Sequence, residues 1–285
     1  MPWRPMLEKL FHLLHGKSAM PFAGIPGPTP RFPLGTALDF VGRRKPWEVC
    51  ADYAEKYGGV TLIWLMGRPV LVLNDPELIG QVLFYHWEDF YKDAPCKALA
   101  PVITPSSLFV TNPPEWKNAR EENPLQSVDL DVWLANQVQP LRAVLSTEVQ
   151  RLVEQSNASD VDLYWDMQRL TFATFAEAFW GHTLSNDHFT WFQTLARTGD
   201  KRMQTQLPLL PPMNPRFLSH RKKWYADFQS RVADARKTPD VEAVNLLQVT
   251  LRNESKLADA VLAEALATNF FGGVFSGSST VNTTL

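Results

Sequence analysis

Apolar positions recur at a helical period through most of this chain and at strand-like density in one place. Between Pro46 and Tyr57, Trp47, Cys50, Ala51 and Ala54 share one face, and Gly58-Gly59 stops the run. Val60-Thr-Leu-Ile-Trp-Leu and Pro69-Val-Leu-Val-Leu are β-rich runs joined through Met66-Gly67-Arg68, which predicts a hairpin. Asn74-Asp75-Pro76 then caps a helix reaching about Tyr85. Residues 90–112 lose the period, apart from a turn of helix near 97–102, and form the long loop of the chain. Beyond them the pattern is helical throughout. Leu130, Trp133, Leu134, Val138, Leu141, Leu145, Val149 and Leu152 trace one face of a long helix. A second starts at Asp160 or Asp162, turns Met167, Leu170, Phe175 and Phe179 inward, and ends at Gly181. A third covers about 186–204, and the proline cluster 208–215 separates it from a fourth over about 216–237, with Phe217, Trp224, Phe228 and Val232 inward. A short helix carrying Val244, Leu247 and Leu251 follows Asp240. The fold class expected is mainly α with a small β-sheet (α+β).

The last stretch, 257–285, departs from amphipathic patterning. After Lys256, Asp259 and Glu264 it runs without a charge from Ala265 to Leu285. A helix without charges all round belongs in a core. Three glycines, four threonines, three serines and two asparagines make it too polar for a bilayer span. Each helical Gly costs up to about 1 kcal/mol relative to Ala. Either a core helix passes close to a ligand here, or a helix ends at Gly272 and a tail follows.

Composition narrows the classes. Apolar residues make up 45% and aromatic residues 12%, enough for a large core, and a net charge of −2 gives no electrostatic footprint for nucleic acid. Cys50 and Cys96 match no metal or redox spacing, and free thiols suit a reducing, cytoplasmic compartment. The apolar run within the N-terminal stretch Met1–His15 is too short, and too interrupted by Glu8, Lys9 and His12, for a signal peptide or a span. A short amphipathic helix in peripheral contact with a membrane surface, or one packed on its own domain, both remain open. Residues 1–20 are a lead-in of this kind, and 21–285 form the domain.

Hydrolytic, phosphoryl-transfer and dinucleotide motifs are absent, and His12, His15, His86, His182, His188 and His220 form no ligand set, so no metal-ligating residue is assigned. Trp116 and Arg120, at i and i+4 after Pro113-Pro114, put an indole N–H and a guanidinium side by side, a donor pair suited to a carboxylate.

Set in order, these features resemble the N-terminal portion of a cytochrome P-450. They are Pro26-Gly27-Pro28 with Pro33-Leu34-Gly35, Lys56-Tyr57-Gly58, the hairpin ending in Asn74-Asp75-Pro76, and Leu108-Phe109-Val110-Thr111 before Trp116-x-x-x-Arg120 with Asn123-Pro124 after it. Phe179-Trp180-Gly181 and Gly272-Gly273-Val274 complete the series, which covers about 20–285. The resemblance implies a haem cofactor and monooxygenation of a hydrophobic small molecule such as a fatty acid, terpenoid or sterol, with electrons from a ferredoxin or a reductase. By the same resemblance Trp116 and Arg120 donate to a haem propionate, and Gly272-Gly273 cross the distal face. Substrate contacts are expected from Leu108 in the 95–110 loop, the 207–213 connection, Phe270, Phe271, Val274 and Phe275. The family's proton-relay acid and alcohol fall on Phe275 and Ser276, or in a shifted register on Ser279 and Thr280, so the acid is missing and Ser276 and Thr280 are the catalytic candidates. Glu148-Val-Gln-Arg151 fits the family's E-x-x-R in letters but precedes the central helix and is read as coincidence. Neither cysteine lies in a Gly-rich Phe loop, so the expectation is a fold incomplete at its C-terminus, lacking the thiolate ligand. The competing expectation is an inactive fragment that binds a hydrophobic ligand or a partner chain.

Overall fold

The computed structural model describes residues 6, 9–11, 13–14, 20–40, 45–92, 94–121, 123–158, 160–205, 214–240, 242–253 and 257–284. It is mainly helical with one two-stranded antiparallel sheet. Its backbone gathers into two compact units, Met1–Phe90 and Tyr91–Leu285.

The first unit is built on the expected hairpin. Strand β1 (Val60–Leu65) pairs with β2 (Arg68–Leu73) from Val60↔Leu73 to Leu65↔Arg68. Met66 and Gly67, at φ 50° and 81°, make the two-residue turn whose twist matches the strands. The Pro26-Gly27-Pro28 segment runs against β1: the Leu62 amide donates to the Pro26 carbonyl at 2.8 Å. A Cβ on Gly27 would stand 1.9 Å from the Leu62 carbonyl oxygen, so only glycine permits that approach. Helix α1 (Pro46–Tyr57) starts with the Lys45 amide on Glu48 Oε2 and ends at Gly58. Its Tyr53 hydroxyl donates to Asp39, which also pairs with Arg31. Of the lead-in, residues 6, 9–11, 13 and 14 are helical, and Phe11 is buried edge-on against Trp64 of β1. Asp75 caps α2 (Pro76–Gly80), and a wider helical turn, Gln81–Tyr85, extends it. His12, His15 and the connection 206–213 lie outside the described residues.

In the second unit the irregular stretch holds two short helices, α3 (Ala94–Lys97) and α4 (Ala100–Ile103), then α5 (Glu115–Glu121). The long helices follow: α6 (Leu130–Ala158), α7 (Leu163–Trp180), α8 (Asn186–Thr205), α9 (Pro215–Lys237), the shorter α10 (Leu246–Asn253), and α11 (Asp259–Thr284). Helix α11 packs on α7 and α9, α8 on α9, and α6 on α7. Asp162 caps α7, and Gly181, at φ 73°, closes it. The uncharged C-terminal stretch is one unbroken helix through Gly272-Gly273. By length and composition α11 could cross a bilayer, but Leu262, Leu266, Phe270 and Val274 are buried against its neighbours.

The expected inward face of α6 needs correcting. Trp133 and Leu141 lean on the core, whereas Leu130, Leu134, Val138, Leu145 and Val149 stand exposed, Val138 at 57%. The buried residue of this helix is Gln137, whose amide joins the Trp133 indole on the Val244 carbonyl. An apolar stripe wider than the groove above α7 leaves its outer half uncovered. Glu148 and Arg151 do form an ion pair at 2.8 Å, but with Asp166 and Arg169 it fastens α6 to α7.

Candidate functional site

Trp116 and Arg120 meet as their spacing demands: one turn of α5 brings the guanidinium over the indole, 5.2 Å from its centre. Trp116 is half-buried, and Arg120 is exposed with no carboxylate partner among the described residues. Lys92 approaches the same indole, its Nζ 5.5 Å from the ring centre. That ammonium also donates to the carbonyls of Leu108 and Thr111, and the Asn112 side chain exchanges two hydrogen bonds with the Lys92 backbone. Burial holds the Lys92 pKa below the ordinary lysine value, against the nearby Cys96. Nothing in the sequence pattern marked Lys92, since its partners are backbone carbonyls well downstream.

The segment from Ile103 to Asn123 is tied along one side of α11. Tyr225 of α9 and Thr268 both donate to the Ile103 carbonyl, Ser106 bonds Glu264, and Asn123 bonds Asn269. Burial raises the Tyr225 pKa above the ordinary phenol value, which keeps that donor protonated. The Asn123–Asn269 bond sets the end of α5 beside the middle of α11. Its partners are 146 residues apart, out of reach of any local motif.

Helix α11 itself has two faces. Phe270 is fully buried, with the rings of Phe172, Phe179, Trp180, Trp224 and Phe228 around it at 5.3–6.5 Å. Val274 is equally enclosed. Both were expected to touch substrate; they are core residues, because their face is the one that meets α7 and α9. Phe271 is buried beside Phe192, and half-buried Phe275 stacks on it. On the opposite side an open stripe carries Asn269, Gly272, Ser276, Ser279 and Thr280. The Ser276 hydroxyl donates to the Gly272 carbonyl at 2.7 Å and Thr280 to the Ser276 carbonyl at 3.0 Å, so both hydroxyl protons are committed to the helix backbone. No acidic residue follows Glu264 on α11.

The two glycines separate. A Cβ on Gly273 would lie 2.2 Å from Phe175 Cε1, so at Gly273 the missing side chain lets α7 approach. A Cβ on Gly272 would sit 3.2 Å from the edge of the exposed Phe109 ring, on the open side. Leu108, next to Phe109, is half-buried and holds Lys92 through its carbonyl.

Cys50 lies half-buried on α1, and burial raises its pKa away from thiolate; Cys96 lies half-buried on α3. Among the described residues no three His, Cys, Asp or Glu side chains gather as a metal site. The arrangement that remains is a cationic aromatic pair on α5, whose C-terminal end is tied through Asn123 to Asn269 of the helix that carries the open hydroxyl-bearing face.

A family model described as "Cytochrome P450" matches residues 25–285. Cytochrome P450 3A6 of Oryctolagus cuniculus is 28% identical over 98 residues, 34% of this chain and 19% of the relative. Cytochrome P450 3A5 of Homo sapiens is 32% identical over the same length, with the same shares. Cytochrome P450 1A1 of Opsanus tau is 36% identical over 76 residues, 27% of this chain and 14% of the relative.

Proposed function

Because the chain belongs to the cytochrome P450 family, we propose that it serves a haem-dependent monooxygenase acting on an apolar organic substrate. The observation that carries this is Arg120: a guanidinium over Trp116, without a carboxylate partner among the described residues, on a helix whose end is tied to α11 through Asn123 and Asn269. These residues fit a haem edge. A guanidinium already oriented by an aromatic ring loses little freedom on binding a propionate, and a charge-assisted hydrogen bond is about twice as strong as a neutral one. Lys92 braces the other side of the indole and fixes the 108–111 segment that leads into α5. Gly272, Ser276 and Thr280 would line the oxygen-binding side. Gly272 adds no bulk there, and the two hydroxyls hold water where an acid is lacking. Leu108, Phe109 and Phe275 offer apolar surface to a hydrophobic substrate at the rim. Bound haem would supply oxygen activation, with two electrons from a ferredoxin or reductase, placing one oxygen atom in the substrate and the other in water.

The test is haem titration of the full chain followed by its Soret band. Arg120→Ala should weaken haem retention by about tenfold, and Arg120→Lys should restore only part of it. Unchanged retention in Arg120→Ala would remove the propionate role. A reduced carbon monoxide spectrum of thiolate type would establish the ligand needed for O–O cleavage.

A second reading is favoured by the uncovered stripe of α6. There the chain is a module that binds a hydrophobic ligand or a partner polypeptide through Leu134, Val138, Leu145 and Val149. Absence of any haem signal from the full chain would favour this reading over the first.

A further inference from the structure

The geometry points to a binding site for a phosphate group in the cleft between α8 and α9. The cleft holds about 210 Å³ and has no carboxylate among the described residues of its lining. Arg197 and Lys201 enter it from α8, and Arg216 from the first turn of α9. Neither Arg197 nor Arg216 has an ion-pair partner among the described residues. Arg197 stands over the Trp165 ring of α7, its guanidinium carbon 4.3 Å from the ring centre, which holds the side chain in place. Asn214 spends its carbonyl oxygen on the Arg216 amide, leaving its NH₂ to donate into the cleft.

The wall between these donors is ordered rather than adaptable. Thr190, Thr194 and Thr198 each donate to the carbonyl one turn back, at 2.8–2.9 Å. The Thr194 oxygen, its proton so committed, accepts from Nδ1 of His220 at 2.8 Å. Burial, then Arg216 and Lys223, hold the His220 pKa below its ordinary value, while Asp187 pulls the other way. The Arg197 and Arg216 guanidiniums gathered at one concave surface repel one another, and an anion entering between them relieves the repulsion. Planar guanidinium donors suit the paired oxygens of a phosphate. A free phosphate, a phosphomonoester and a lipid headgroup share that chemistry.

Calorimetric titration of the full chain with inorganic phosphate is one arm of the test. The other is sedimentation with phosphatidylcholine vesicles with and without phosphatidic acid. We expect saturable phosphate binding, or retention by the acidic vesicles alone. Either signal should fall at least about tenfold in Arg197→Gln and in Arg216→Gln, and persist in Arg142→Gln on α6. Phosphate heat assigns the site to a soluble phosphate, and vesicle retention without it assigns a headgroup. Arg216 is exposed, so its substitution leaves packing intact, and an unaltered melting curve without ligand checks that. Absence of binding in both arms, or binding that survives both cleft substitutions, overturns the proposal.

Discussion

Helices α6 and α11 are the two longest in the second unit, and both carry apolar residues at helical spacing, yet they end up in opposite environments. Helix α11 is enclosed along the face that meets α7 and α9, with Leu262, Leu266, Phe270 and Val274 all buried. Helix α6 meets α7 over one flank, encloses Gln137, and leaves Leu134, Val138, Leu145 and Val149 exposed. A periodic apolar stripe therefore marks a face able to be buried; neighbours decide whether it is. What distinguishes α11 is its aromatic density, and Phe270 is the centre of it.

Phe270→Ala tests that difference most strongly. Emptying the middle of the ring cluster should destabilise the chain by about 3–5 kcal/mol, read as a lower urea midpoint with an unchanged slope. A loss below about 1 kcal/mol would mean that the cluster relaxes around the vacancy and that α11 is no more specified than α6.

The adjacent glycines give a smaller effect with a change of sign. Gly273→Ala drives a methyl to 2.2 Å from the half-buried Phe175 ring on the α7 side and should cost about 1–3 kcal/mol. Gly272→Ala meets only the edge of the exposed Phe109 ring at 3.2 Å. There the helix gains up to about 1 kcal/mol from losing a glycine, so the variant should be neutral or more stable. Thermal melts of both variants decide it. Equal losses would place both glycines on the packed face.

On α6 the polar residue should matter more than its apolar neighbours. Gln137→Ala removes one of two donors from the Val244 carbonyl, and the Trp133 indole remains, so the loss should be about 1 kcal/mol. A titration between α8 and α9 offers a further check. Burial pushes the Asp227 carboxyl upward, but His188 at 3.2 Å and Arg231 at 2.6 Å more than offset it and leave the pKa below the usual carboxylate value. With the folded pKa depressed, this contribution is present above the unfolded value of about 4 and is lost as pH falls through the folded one. Asp227→Asn should flatten the acid limb of the stability curve; an unaltered limb would show that the pair adds nothing.

Much of the fold was legible because it rests on local rules. Gly58, the Met66-Gly67 turn, Asp75-Pro76 and Gly181 each end or begin an element through their own backbone preference or cap. The Trp116–Arg120 contact was legible for the same reason, being one turn of helix. The site's remaining ties were not. Lys92 to the Leu108 carbonyl, Asn123 to Asn269 and Ser106 to Glu264 join residues that only the tertiary fold brings together. Gly272 and Gly273 show the limit within a single dipeptide. Composition reveals that close approach is needed, and a turn of about 100° decides whether a ring of α7 or open space lies beyond.

The smallest expected effect is the sharpest test of the comparison. Val138→Lys replaces an apolar side chain at 57% exposure, and its long stem can lie along the helix with the ammonium in water. If the stripe faces solvent, the change in stability should stay within about 0.5 kcal/mol, because nothing packed is lost. The same substitution at a covered position would bury a charge and cost several kcal/mol. Chemical denaturation at two protein concentrations separates these cases. A near-zero change at both leaves α6 open, the opposite of α11. A large loss at high concentration alone means that a second copy covers the stripe, and the contrast between the helices becomes one of partner rather than of sequence.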